Sequence, residues 1–234
     1  STTQFLVRPL YGWPGVLIWF LVVISALILL GIHWGELTSN MADRVLATEN
    51  LFLLWLAYPV IKTLHEFGHA YTVKHYGGEV HEMGIMLLVF MPIPYVDASS
   101  SSAFREKHKR IMVGGAGILI EVFLAALAMW VWVNVEPGAV RALAFNVMII
   151  AGVSTLLFNG NPLLRFDAYY ILSDYLEIPN LGSRSNSFIG YLFQRYLLNI
   201  EELTSPVSAP GEAPWLGLYG IASFVYRIFI MVRI

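Results

Sequence analysis

The sequence contains no cysteine. That excludes disulfides, thiolate metal ligands and thiol nucleophiles together, so a metal site must draw on His, Asp or Glu. Charge is scarce as well. Only 13% of the 234 residues are charged, where a soluble domain carries roughly 25%. Lysine and arginine total 14 and aspartate and glutamate 16, a net charge of −2. That near-neutral balance offers no bulk attraction for nucleic acid. The first long apolar run, Trp13–Ile32, has neither a basic leading segment nor a small-residue cleavage site. It reads as a retained helix rather than a signal peptide.

What is abundant is apolar: 57% of the residues are hydrophobic. The chain reads as an integral, all-α polytopic membrane protein. Transmembrane helices are expected at Trp13–Ile32, 51–73, 111–135, 140–158 and 216–234, about five in all, each near the length that crosses a bilayer. Trp13, Trp19 and Trp34 suit the interfaces. Residues 35–50 read as a polar loop. Segment 80–95 is apolar but broken by Gly84, Pro92 and Pro94, so it reads as a short hairpin or re-entrant segment between helices two and three. Such backbone is tolerated at membrane depth only inside protein or along a cavity. Gly114, Gly115 and Gly117 open the third helix with small residues that permit close helix approach. Residues 99–102, all serine, read as a loop. Residues 173–214 are more polar, with an amphipathic helix expected at 188–200 and a Pro/Gly-rich linker after it. The chain is read as one membrane-embedded domain with its core over 50–175. Because it ends within an apolar segment, it is expected to be part of a longer protein.

Basic residues set the expected orientation. Lys74, Arg105, Lys107, Lys109 and Arg110 lie between helices two and three, and Arg8 precedes helix one. The loop between helices one and two holds only Arg44, and the turn between helices three and four only Arg141. The N-terminus and the 74–110 loop should therefore be cytoplasmic, with the interrupted region after helix four at the same depth.

The chemistry concentrates at His65-Glu66-Phe67-Gly68-His69, which reads H-E-x-x-H. Four-residue spacing puts both imidazoles on one helix face, where they can grip one ion, and the glutamate can reach a water at that ion. Zinc is the usual ion, with the glutamate as general base of a metalloprotease. Catalytic zinc needs a third protein ligand and an open position. His75 has metzincin spacing, but Thr72 stands where that pattern needs glycine, and on a continuing helix His75 points away. It reads better as an interfacial histidine at a helix end. Glu79 and Glu82 lie past the Gly77-Gly78 break and could fold back. Asp167 is the strongest candidate, since an acid in so apolar a stretch is costly unless paired or bound.

An H-E-x-x-H in a membrane helix, followed about a hundred residues later by Asn161-Pro162-Leu163-Leu164-Arg165-Phe166-Asp167-Ala168, resembles the site-2 protease family of intramembrane zinc metalloproteases. The stretches 77–84 and 165–170 are similar to its bacterial peptide zinc metalloprotease branch. The resemblance covers about residues 50–175. It implies His65, His69 and Asp167 as zinc ligands, Glu66 as catalytic acid/base, and Asn161 near the substrate or oxyanion. It implies an inner-membrane protein of bacteria that hydrolyses membrane-associated proteins or peptides, with its site toward the cytoplasm. Ala168 departs from the family's glycine, which points to close packing or a special backbone angle there. That departure supports an alternative: a catalytically weakened, zinc-binding membrane adaptor of a peptide export or maturation system. A transporter is the third reading, and the sequence holds no internal repeat to support it.

Lys62 shares the histidines' face, and its expected depth matches that of Glu121 on helix three, so the two should form a buried ion pair. Arg227 is expected to snorkel. His33, His81 and His108 carry no assigned chemistry. The broken 84–95 segment could offer a strand edge to an extended substrate.

Overall fold

A computed structural model describes residues 11–200 and 202–233; for residues 42–44 and 49 it describes the backbone alone. Arg8 and the Arg44 side chain, both used for the expected orientation, fall outside the described residues. The chain forms two compact units that join between Gly160 and Asn161.

The first unit is a helical bundle. Helix α1, Trp13–Ile32, carries Pro14 in its first turn, where a missing N–H costs nothing. Two indoles fasten it to helix α5, Lys107–Asn134: Trp19 donates to the Leu119 carbonyl at 2.9 Å, and Trp130 donates to the Ser25 hydroxyl at 3.0 Å. Trp19 is thus a packing residue with a protein partner for its N–H. The expected loop at 35–50 is instead largely helical, with α2 at Trp34–Thr38 and α3 at Met41–Leu46. The reason is a four-residue apolar period. Leu37, Met41 and Val45 pack with Ala26, Met129, Trp132 and Phe145.

Helix α4, Thr48–His75, runs longer than expected at both ends. A β-hairpin follows, pairing β1 (Met83–Leu88) antiparallel to β2 (Met91–Val96), with Gly84 opposite Tyr95 and Leu88 opposite Met91. Val89 and Phe90 turn it with positive φ and are exposed. The serine run is a single 3₁₀ turn, Ser99–Ala103.

Helix α5 begins four residues earlier than expected, inside the basic cluster. The fourth long helix spans the expected residues but changes winding. It is α-helical over α6, Ala139–Val147, and a π-helix over Met148–Asn159. Such wide winding is rare and gathers at functional sites. Asn146 donates to Asn50 at 2.8 Å, tying α6 to α4. Arg141 stacks on Trp132 and donates to Glu36 at 2.7 Å, tying α6 to α5 and α2.

The second unit holds α7 (Asp167–Leu176), α8 (Leu181–Tyr196) and α9 (Glu212–Arg233), around a core of Tyr169, Ile178, Leu181, Phe188, Leu216 and Tyr219. Helix α8 starts seven residues before the expected amphipathic segment, because Leu181 and Ser185 are buried with Phe188 on one face. Arg184 forks onto Glu212 at 2.9 and 2.5 Å, and Glu212 also accepts the Ser208 and Ala209 amides, so α9 starts from a fixed point. Arg227 donates from Nε to the Ser223 carbonyl of its own helix at 3.1 Å.

Among the described residues, four helices are long and apolar enough to cross a membrane: Trp13–Ile32, Lys107–Asn134, Ala139–Asn159 and Glu212–Arg233. Helix α4 is long enough at 28 residues, but Lys62, Glu66 and Lys74 make it less apolar than those four. The chain is mostly helical and built to enter a membrane.

Contact between α4 and α5 depends on Gly68. A Cβ there would lie 2.6 Å from Ile120 Cδ1 and 3.0 Å from the Ala116 carbonyl oxygen. Ile120 can swing aside and the backbone cannot. Gly68→Ala is expected to cost about 1–3 kcal/mol by overpacking, read as a lower thermal midpoint in detergent. A parent-like midpoint would show that the helix contact is looser than this geometry.

Candidate metal centre

Helix α4 places His65 and His69 one turn apart on the face packed against α5. Both are buried, at 4% and 8% exposure, and Glu66 between them is half-buried. Each ring has a polar group of α5 beside its Nδ1. For His69 the partner is the Val113 carbonyl of α5, at 2.7 Å. A carbonyl only accepts, so Nδ1 carries the proton and Nε2 presents a lone pair. For His65 the partner is the Glu121 carboxylate, whose Oε1 lies 3.3 Å from Nδ1. That is ion-pair distance without hydrogen-bond alignment. Gly117 of α5 makes room for the His65 ring; a Cβ there would collide with it. The small residues at the start of the third helix therefore do more than bring backbones together.

The two Nε2 atoms then face each other at 3.0 Å. Two lone pairs at that distance repel unless a cation or a shared proton lies between them. Ligand nitrogens on one tetrahedral zinc, with bonds of about 2.0–2.1 Å, stand about 3.3 Å apart. The imidazole pair fits zinc by donor chemistry and by spacing.

Asp167 is the first residue of α7, in the second unit, and is half-buried. A carboxylate is favoured at that helix end. Asp167 offers a carboxylate oxygen, a donor type that zinc takes beside imidazole nitrogens. Asn161 builds the turn that leads to Asp167: its Oδ1 accepts the Leu163 amide at 2.9 Å and its carbonyl accepts the Leu164 amide at 3.3 Å. Ala168 occupies the second position of α7 and is not among the residues with positive φ. Alanine costs no backbone strain there, so the special angle expected of the family's glycine is absent.

The other candidate ligands have different roles. Helix α4 continues through Thr72, which is buried and donates to the Gly68 carbonyl at 2.7 Å. His75 is exposed at the helix end and stacks on Tyr11, with ring centroids 4.2 Å apart. The Tyr11 hydroxyl shares a 2.7 Å hydrogen bond with Thr72, and burial raises its pKa. Glu79 and Glu82 are exposed, and Glu82 accepts the Tyr95 hydroxyl.

The expected pair of Lys62 and Glu121 is present, with Nζ 2.6 Å from Oε1 and Glu121 fully buried. The sequence reading missed the rest of its shell. Thr155 donates to Oε2 and Asn159 approaches it at 3.4 Å, both from the π-helix. The signal was there: these are polar residues four apart in an otherwise apolar run. The link from Glu121 to His65 was also missed.

Over 148 residues, 63% of this chain, the sequence is 25% identical to a Bacillus subtilis (strain 168) protein named "Putative peptide zinc metalloprotease protein YydH". The aligned part is 57% of that relative, so the chain spans little more than half its length. No family model and no solved structure matches the chain.

Removing one member of a buried ion pair strands the other charge. Lys62→Met is expected to destabilise by about 3 kcal/mol or more, and the Lys62→Met, Glu121→Gln double variant by less. Thermal unfolding of the set in detergent checks the order. A harmless Lys62→Met would show that the pair is not energetically coupled.

Proposed function

We propose that this chain works as one membrane-embedded zinc metalloprotease domain of the site-2 protease type, cleaving peptide bonds of membrane-associated proteins or peptides. The observation that carries this is the pair of buried His65 and His69 Nε2 atoms facing each other at 3.0 Å, with the His69 Nδ1 on a backbone carbonyl and the Glu121 carboxylate beside His65. The relative's name supports zinc and peptidase chemistry, and the apolar helices support a membrane setting. In this reading α4 is a fifth span, and the hairpin enters the membrane beside it. The basic 74–110 loop supports a cytoplasmic location for the site, by the positive-inside rule. A bacterial inner membrane fits that orientation.

His65, His69 and Asp167 would hold the ion. The chemistry a bound zinc supplies is Lewis-acid polarisation of the scissile carbonyl and acidification of water. Glu66 lies one residue from His65 on the same helix. Its carboxylate takes the proton of the attacking water and returns it to the leaving amine. The buried imidazole face keeps bulk water from competing. A helical substrate shields its own carbonyls, so it must be extended at the cleaved bond. The hairpin, with backbone edges on both strands, is the element suited to hold it. Asn161 follows the resemblance as a substrate contact, through its side-chain amide.

Purified chain should carry about one zinc, lost or sharply weakened in His65→Ala and in Asp167→Ala. Zinc retained by Asp167→Ala would remove the aspartate from the ligand set. Glu66→Gln should keep zinc and lower cleavage of a membrane-protein substrate by about a hundredfold or more. Cleavage at parent rate in Glu66→Gln would overturn the general-base role.

A further inference from the structure

Glu121 has more partners than an ion pair needs. It lies in the middle of α5 with no exposed surface. A buried carboxylate must be compensated, and Lys62 alone supplies the opposite charge. Yet the two oxygens are used differently. Oε1 faces α4, taking Lys62 at 2.6 Å and the His65 Nδ1 at 3.3 Å. Oε2 faces the π-helix, taking Thr155 and, at 3.4 Å, Asn159. One oxygen serves the helix of the metal ligands, and the other is tethered from the opposite side.

The π-winding is what makes the tether. Thr155 Oγ1 lies 3.2 Å from the Ile150 carbonyl, five residues back, where a hydroxyl on an ordinary helix turn reaches four. This wider turn carries Thr155 and Asn159 onto the same carboxylate oxygen. On the far side of the His65 ring, Gly117 leaves room for the imidazole and nothing larger.

We propose that Glu121 is a positioning residue for His65, setting the ring's orientation and raising its strength as a metal ligand, with Thr155 and Asn159 fixing the carboxylate. The proposal rests on the metal reading above. It makes the two histidines unequal. His69 gives its Nδ1 proton to a neutral backbone carbonyl, whereas the His65 Nδ1 has a carboxylate oxygen 3.3 Å away. A charged acceptor makes the imidazole the stronger donor to a metal, and loss of such a partner commonly weakens metal affinity by about 10–100-fold. Lys62 moderates the effect, because it shares Oε1 with His65.

The test uses the full chain in detergent. Zinc affinity is measured by competition with a chelator of known affinity, and the site is probed by the visible absorption of the cobalt(II)-loaded protein. Variants are Glu121→Gln, Lys62→Met with Glu121→Gln, and Thr155→Val. Glu121→Gln and the double variant should each weaken zinc binding by about tenfold or more and change the cobalt spectrum. Thr155→Val, which touches the carboxylate and not the imidazole, should weaken binding by a smaller factor. The double variant leaves neither charge stranded, so it reports even where Glu121→Gln alone fails to fold. Parent-like zinc affinity and cobalt spectrum in the folded double variant would make Glu121 a structural ion pair only. If neither charge variant folds, parent-like values in Thr155→Val overturn the proposal. A parent that binds no more zinc than His65→Ala overturns the metal reading and this inference with it, a result distinct from the others.

Discussion

A carboxylate with no access to water constrains most of the first unit. Glu121 lies where an isolated charge would cost several kcal/mol. Everything around it answers that cost. Lys62 reaches it from α4, His65 from the same helix, and Thr155 and Asn159 from the fourth long helix. Three helices are thereby held in register by one side chain. In an apolar solvent this matters more than in water. Apolar faces gain little from packing on each other when lipid is the alternative, so specificity comes from close contact and polar bonds. Glycines supply the close contact. Gly68 sets the approach of α4 to α5, and Gly117 gives the His65 ring its space.

That register bears directly on the imidazoles. His65 and His69 present their Nε2 atoms to each other while α5 sets a backbone carbonyl on one Nδ1 and a carboxylate beside the other. A shift of α5 by one turn would exchange those acceptors for other groups and free the rings to rotate. The face proposed to bind metal is therefore a property of the helix pair, and the H-E-x-x-H helix alone would not maintain it. The same argument explains why Lys62 and Glu121 are tolerated in so apolar a region: they are the fixed points that keep the pair aligned.

The elements most legible in the sequence were those where one physical signal dominates. The run Trp13–Ile32 has no charge and appears in the structure with the same bounds. Histidines four apart had to share a face. Lys62 and Glu121 could be matched by depth, because rise per residue is fixed. Other features were hidden because they depend on neighbours. The segment 35–50 looked like a loop from its charges, while its order comes from Leu37, Met41 and Val45 packing on other helices. The π-winding at Met148–Asn159 leaves no mark on hydropathy. Helix α7 follows Asn161-Pro162 so closely that the break masked it. Of the two reasons to expect glycine at Ala168, the backbone angle could be judged only from the structure.

The contrast between the two histidine acceptors reaches past geometry. A site meant only to retain a metal gains most from ligands that are equally and strongly engaged. A hydrolytic site has a different need, since the ion must stay acidic enough to polarise a carbonyl. Each negative charge brought near the ligands reduces that acidity. Glu121 would do so in full if it stood alone. Lys62, 2.6 Å from the same oxygen that faces His65, offsets the charge while leaving the acceptor in place. The trio Lys62, Glu121 and His65 thus orients a ligand with little net charge added to the site, an arrangement suited to an ion that must act as well as bind.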